Sequence, residues 1–317
     1  MNNINTNIRT LEGKDITENS EDEMYRLYRL KWHGYPKNNI IPAFHLFLDI
    51  EATSACNLSC PHCIQTIQNQ KKGFMTWDIY EKIIDEASAN GCYGCKYHTI
   101  GRGEPLLHRD IVKMVQYAKK KGLIDVYINT NATLLNDRLT EKLLDTGLDR
   151  ISFSIDGYNE EQYKMTRRGA SFTDILLNVK YFMAKRDLQK YNTKIRIQTV
   201  ELEGIDLYWY KEFWKDYADE VAVIKYKDME QRKFGLVSDW KCSQLWQRAS
   251  ILFDGKILPC NHDDRQLAVF GNIKNDTISK IWRSKELQFM REEHLDGKAD
   301  LIPACDGCFL RSSIIGK

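Results

Sequence analysis

The chain is 317 residues long and 43% hydrophobic, with 46 Lys and Arg against 44 Asp and Glu for a formal charge of +2. That length exceeds the usual single core, so one large domain with an appendage is expected, and so balanced a charge makes nucleic acid an unexpected partner. No run approaches a membrane span, and the polar N-terminus has no apolar signal segment, so a cytoplasmic protein with no membrane partner is expected. In a reducing compartment nine cysteines point to metal or redox chemistry rather than disulfides.

Residues 1–20 read as a flexible leader. Residues 21–35 read as a short helix with Met24, Leu27 and Tyr28 on one face, ended by Pro36 and capping the domain behind it. From residue 44, short β-rich runs alternate with helical ones. The first strand, 44–52, leads into CNLSCPHC at 56–63, which sets Cys56, Cys60 and Cys63 in a C-x3-C-x2-C spacing on one loop. A four-iron cube normally takes four cysteines, so three leave one iron open to another ligand. A helix at 76–90 with Thr76 as N-cap precedes a strand at 96–100 and the turn GRGEP at 101–105, where Gly103 allows close approach of backbone to a ligand and Glu104 can pair with an ammonium.

The third strand, 124–130, ends in Asn129, Thr130 and Asn131. The fourth, 150–156, carries Ser154 and Asp156 on one side, followed by Arg167 and Arg168 in a basic turn. A helix at 172–186, a strand at 194–202, a helix at 207–217 and a strand at 220–226 complete the series, with Lys225 and Lys227 at its end. Six strands alternating with helices over 44–228 predict an α/β fold with a mostly parallel sheet and right-handed crossovers. The pattern alone does not separate an open sheet from a barrel.

Beyond 228 the rhythm breaks. SILFDGKILPC at 250–260 predicts a hairpin turning at Asp254-Gly255, a helix comes next at 277–293, and PACDGC closes the motif series. Cys242, Cys260, Cys305 and Cys308 form a second set, spaced C-x17-C-x44-C-x2-C, which can saturate an iron–sulfur cluster or hold a zinc ion. Residues 229–317 are too few for an apolar core of their own, so a metal staple is expected there. Cys92 and Cys95 read as small buried hydrophobes, at the end of the sheet away from the other cysteines.

The C-x3-C-x2-C loop directly after a first strand resembles the signature of radical S-adenosylmethionine (radical SAM) enzymes. GRGEP is similar to that family's GGEP motif, departing from it by Arg102, and the second cysteine set with its FGNI and ISKIW segments resembles a twitch or SPASM-like domain of the 2-deoxy-scyllo-inosamine dehydrogenase type. The resemblance runs over 44–308. It implies a (β/α)6 partial TIM barrel at 44–228 with chemistry at the strand C-terminal ends, and a small hairpin-plus-helix Fe–S domain at 229–317. It further implies a [4Fe-4S] cluster on Cys56, Cys60 and Cys63 that binds SAM, and an auxiliary [4Fe-4S] cluster on Cys242, Cys260, Cys305 and Cys308. SAM would contact Gly103, Glu104, Asn129, Asn131, Ser154, Asp156, Arg167 and Arg168.

The activity so implied is oxidation of a secondary alcohol of a sugar, aminocyclitol or polyol to a ketone. A 5′-deoxyadenosyl radical takes the carbinol hydrogen, Lys225 or a neighbour takes the hydroxyl proton, and the auxiliary cluster accepts an electron. Asn261 and His262 are placed toward the substrate by their position after Cys260. Expected partners are a carbohydrate-like small molecule and an electron donor such as flavodoxin or ferredoxin. A radical SAM epimerase and a non-enzymatic zinc protein are the alternatives. Peptide modification is disfavoured, since nothing ahead of residue 44 shows a strand pattern.

Overall fold

Apolar and polar side chains alternate along the central strands, and that alternation decides how the sheet packs. The computed structural model describes residues 9–13, 15–18, 21–68, 71–98, 103–226 and 241–312. Its elements begin with β1 (Arg9–Gly13), α1 (Glu23–Lys37), β2 (Phe47–Ile50), α2 (Ile64–Ile67), α3 (Trp77–Ala89), β3 (Gly94–Tyr97), α4 (Ile111–Lys120), β4 (Asp125–Thr130), α5 (Asp137–Asp145) and β5 (Arg150–Ser154). They continue with α6 (Glu160–Thr166), α7 (Phe172–Gln189), β6 (Lys194–Val200), α8 (Leu207–Trp214), β7 (Glu220–Ile224), β8 (Arg248–Ile251), β9 (Lys256–Leu258), β10 (Gly271–Asn272), α9 (Ile278–Trp282), α10 (Lys285–Leu295) and α11 (Phe309–Ser312).

Strands β2 to β7 lie side by side in chain order, every neighbouring pair parallel, in a mixed α/β sheet that does not close. One face is apolar: Leu48, Ile50, Tyr97, Val126, Ile128, Ile151, Phe153 and Ile197 join Ile83, Val115, Leu144, Phe182 and Trp214 of the helices in one core. The intervening residues, Asp49, Lys96, Tyr127, Asn129, Ser152, Ser154, Arg196 and Gln198, occupy the other face, because successive side chains point to opposite sides of a strand. This polar lumen is held by charge pairing. Asp49 takes Lys96 at 3.0 Å and Arg248 at 3.2 Å, Arg150 grips Asp125 through two bonds of 2.8 and 2.7 Å, and Arg196 pairs with Glu220. Buried pairs of this kind add little net stability but make loss of one partner costly.

Several boundaries differ from the sequence reading. The second strand begins two residues earlier than expected, and Thr99 to Arg102 lie outside the described residues. The helix expected at 277–293 is broken into α9 and α10, because Ser284 accepts from the Leu287 N–H and starts a new helix. Thr76 stands at the N-cap of α3 without a side-chain capping bond. The hairpin at 250–260 is present as β8 and β9, with Gly255 at φ +90°, where a side chain would be strained. β8 also pairs in parallel with β2, so the C-terminal segment extends the barrel's own sheet.

The N-terminal segment departs from the expected leader. β1 pairs antiparallel with β7, so part of that segment is a strand, and the lack of one no longer counts against peptide modification. Pro36 lies inside the last turn of α1, whose buried face is Tyr28, Arg29, Trp32 and Pro36, while Met24 and Leu27 are exposed. Tyr28 stacks on Tyr93 at 4.9 Å, Trp32 meets Phe47 edge-on at 6.1 Å, and Gln247 donates to the Trp32 carbonyl. Since Phe47 opens β2 and Tyr93 precedes β3, α1 covers the N-terminal ends of the strands and leaves the C-terminal ends for the site. No helix among the described residues is long and apolar enough to cross a membrane.

Candidate active site

The loops that leave the C-terminal ends of β2 to β6 converge on one cavity of about 240 Å³. Its lining includes Cys56, Cys60, Cys63, Gly103, Glu104, Asn129, Asn131, Ser154, Asp156 and Arg167, so most of the residues expected to meet SAM face one space. Cys63 stands at the start of α2 and its side chain makes no capping bond. Burial raises the thiol pKa of Cys56 and pushes that of Cys60 up to about 11; the neighbouring cysteines of the loop add to both effects. Thiols so placed ionise readily only when a metal takes the proton's place.

Gly103 is where the turn after β3 crosses the cysteine loop. A Cβ there would lie 2.0 Å from the Thr53 carbonyl oxygen, so only glycine permits this approach. The next residue, Glu104, is buried and its carboxylate accepts from the Leu106 N–H at 3.0 Å, the Thr130 hydroxyl at 2.7 Å and the Asn131 N–H at 2.7 Å. Burial lifts its pKa, and these donors pull the other way. With about four lone-pair sites on a carboxylate, three bonds leave room for one further donor from a ligand. Asn131 is tied to the cysteine loop, donating to the Asn57 side-chain oxygen at 3.1 Å.

Asn129, Ser154 and Gln198 form a small polar group across three strands. Gln198 donates to Asn129 Oδ1 at 3.2 Å and lies 3.3 Å from Ser154 Oγ. Asp156 is fully buried. Its Oδ1 accepts from the Val200 N–H at 2.9 Å and the Thr199 hydroxyl at 3.1 Å, and its Oδ2 pairs with Arg167 at 2.6 Å and His62 at 3.2 Å. Burial alone would raise its pKa; Arg167 first, then His62 and the Val200 N–H, outweigh it and hold the carboxyl below the ordinary range.

Two expected site residues lie elsewhere. Arg168 is exposed and outside the cavity lining; its carbonyl accepts from the Ser59 N–H, so its contribution is a backbone tie to the cysteine loop. Lys225 is exposed past the end of β7. The alternation of the strand turns Ile224 toward the cavity and Lys225 away, which removes it from the reacting space, and Lys227 falls outside the described residues. The sequence reading missed His62, Lys96, His98, Tyr127, Arg196 and Gln198, all lining the cavity. Strand alternation from Asn129 and Ser154 was the available signal for Tyr127 and, across the sheet, for Gln198 and Arg196.

The second cysteine set gathers beside this cavity. Burial pushes Cys242 up to about 12 and raises Cys260 and Cys305 well above the ordinary thiol range, and each feels the charge of others in the set. Asn261 and His262, directly after Cys260, line the main cavity, so a single loop joins the two thiol groups. Among the described residues no three ligand-type side chains converge on a single-ion site; a cube instead takes its thiolates at separate irons. Three thiols beside a cradle that a Cβ would fill, and a second set of four thiols that feel one another's charge, suit two clusters with one open iron. Cys92 and Cys95 are buried within the hydrophobic core.

Residues 50–192 match the model of the radical SAM superfamily, and residues 242–309 match SPASM, an iron–sulfur cluster-binding domain. The tungsten-containing aldehyde ferredoxin oxidoreductase cofactor-modifying protein of Pyrococcus furiosus is 25% identical over 84% of this chain and 88% of its own. The fold is shared with BtrN, solved in complex with AdoMet and 2-DOIA, at TM-score 0.58 and 19% identity over 85% of this chain and 94% of that one. It is also shared with Streptococcus suis SuiB bound to S-adenosylmethionine, at TM-score 0.59 and 17% identity over 86% of this chain and 74% of that one. The two matched domains imply a SAM-binding [4Fe–4S] cluster, SAM itself and an auxiliary iron–sulfur cluster. The chain thus carries a radical SAM domain at residues 50–192 and a C-terminal SPASM iron–sulfur cluster-binding domain at residues 242–309.

Proposed function

We propose that this radical SAM enzyme oxidises a secondary alcohol of a polyol, sugar or aminocyclitol to a ketone. The observation that carries the reading is the loop 260–262, which begins at a cysteine of the closed four-thiol set and ends with Asn261 and His262 in the wall of the cavity that holds the three-thiol loop. When bound, SAM with its cluster supplies a hydrogen-atom acceptor, and the auxiliary cluster supplies a one-electron sink. Cys56, Cys60 and Cys63 would hold the first cluster, and Cys242, Cys260, Cys305 and Cys308 the second.

The chain's own groups supply the rest. Glu104, in the cavity wall with room for one further donor, would orient an ammonium, while Asn129, Ser154 and Gln198 would meet hydroxyl groups. A carbinol that becomes a carbonyl loses a hydrogen atom, an electron and a proton, and the proton needs a base in the wall. His98 and His262 line the cavity and take that role in place of Lys225. The complex of BtrN with AdoMet and 2-DOIA supports a small polar substrate here. Reduction by a flavodoxin or ferredoxin completes the scheme.

The test is anaerobic turnover of the iron-reconstituted enzyme with SAM, a reductant and a panel of polyols and aminocyclitols, followed by mass spectrometry. Loss of two hydrogens with formation of a carbonyl is expected. A product of unchanged mass in ordinary water that gains one deuterium when turnover is run in heavy water would replace this reading with epimerisation.

A further inference from the structure

One buried side chain of the four-thiol site has no part in the proposed oxidation. His294, on α10, is 1% exposed and bridges two of the cysteines. The Cys242 backbone N–H donates to its Nδ1 at 3.3 Å, and its Nε2 lies 3.3 Å from Sγ of Cys305. A backbone N–H can only donate, so Nδ1 is the acceptor and carries no proton. The single proton of the neutral ring is then on Nε2, pointed at Cys305 Sγ.

A donor to a ligand sulfur favours the reduced form of a cluster, because reduction adds negative charge that the sulfur shares, and hydrogen bonds to the sulfurs are among the influences that set cluster potentials. We propose that His294 raises the reduction potential of the auxiliary cluster through its Nε2–H···Sγ bond to Cys305, making that cluster a better electron acceptor. The inference rests on the assignment of the four cysteines to an auxiliary cluster. Two buried charges act on the same site through space. Arg311, 3% exposed and paired with Asp300 at 3.4 Å, is near enough to His294 to bear on it. Asp263 opposes it from the side of Cys260 and Cys305, its carboxylate held by the Leu267 and Ala268 N–H groups. His294 touches a ligand sulfur directly.

The experiment uses the full chain carrying Cys56→Ala, Cys60→Ala and Cys63→Ala, reconstituted anaerobically, so that the auxiliary cluster is read alone by EPR during a redox titration. Adding His294→Leu is expected to lower the ratio of reduced to oxidised cluster at fixed potential by about tenfold, which is about 59 mV for a one-electron couple. His294→Gln, whose amide can accept from one side and donate on the other, is expected to recover most of that loss. An unchanged ratio in the leucine variant overturns the proposal. Should that variant lose its iron, the His294-containing protein decides: with 15N-labelled histidine and His262→Gln, a nitrogen hyperfine coupling to the reduced cluster supports the bond, and its absence overturns it. If the triple-cysteine variant binds no iron at all, the auxiliary-cluster reading itself falls.

Discussion

Asp156 answers Val200, Thr199, Arg167 and His62 at once, and none of these partners comes from its own strand. Alternation along β5 was enough to place Ser154 and Asp156 on one side. That the carboxylate is already occupied was not legible, because Arg167 reaches it from the end of α6 and His62 from the cysteine loop. Replacing Asp156 with Ala leaves the mostly buried Arg167 without its partner and is expected to cost about 3–5 kcal/mol. Adding Arg167→Met should return much of that loss. Urea unfolding of the single and double variants measures both, and equal destabilisation by the two would show that the pair is not the source. Lys225 gives the converse lesson: its position at a strand end was readable, but the direction of its side chain depends on the register of β7 against β6.

At the scale of the element, α1 shows helical spacing being overruled by the surface it packs on. Spacing offered Met24 and Leu27 beside Tyr28 as the buried face; the helix instead turns Tyr28 inward with Trp32, because the ends of β2 and β4 present Phe47 and Tyr127. The guanidinium of Arg248 stacks 4.6 Å from the Trp32 ring while it pairs with Asp49, so the helix also roofs a buried charge. Trp32→Ala is expected to cost about 3–5 kcal/mol for the lost ring, visible as a lower midpoint in thermal or urea unfolding. A shift no larger than that of a surface substitution, roughly 0.5 kcal/mol, would mean that α1 is not anchored on the barrel.

Across the whole molecule, the two thiol groups are built on one sheet. β8 pairs with β2, the strand that leads into the three-cysteine loop, and β9 leads into Cys260. The segment too short for its own apolar core therefore borrows the barrel's, with its second small cluster of Leu245, Trp246, Trp282, Leu287 and Met290 around the thiols. Cys305→Ala with Cys308→Ala is expected to lower the iron content from about eight to about four per chain, one cube being lost. The remaining cluster should still change its EPR signal on addition of SAM. Loss of that response together with the iron would show that the two sites depend on each other for assembly.

The amino-acid sequence by itself determined the two cysteine sets, the strand and helix rhythm from residue 44, and the polar residues at the ends of β4 and β5, since loop spacing and strand periodicity are local properties. Only the tertiary structure decided that β1 and β8 extend the sheet, that the lumen carries Lys96 and Arg196 against Asp49 and Glu220, and that Ile224 rather than Lys225 faces the cavity. These outcomes arise from pairings between strands far apart in the chain, where the hydrogen-bond register turns each side chain toward the helices or toward the lumen.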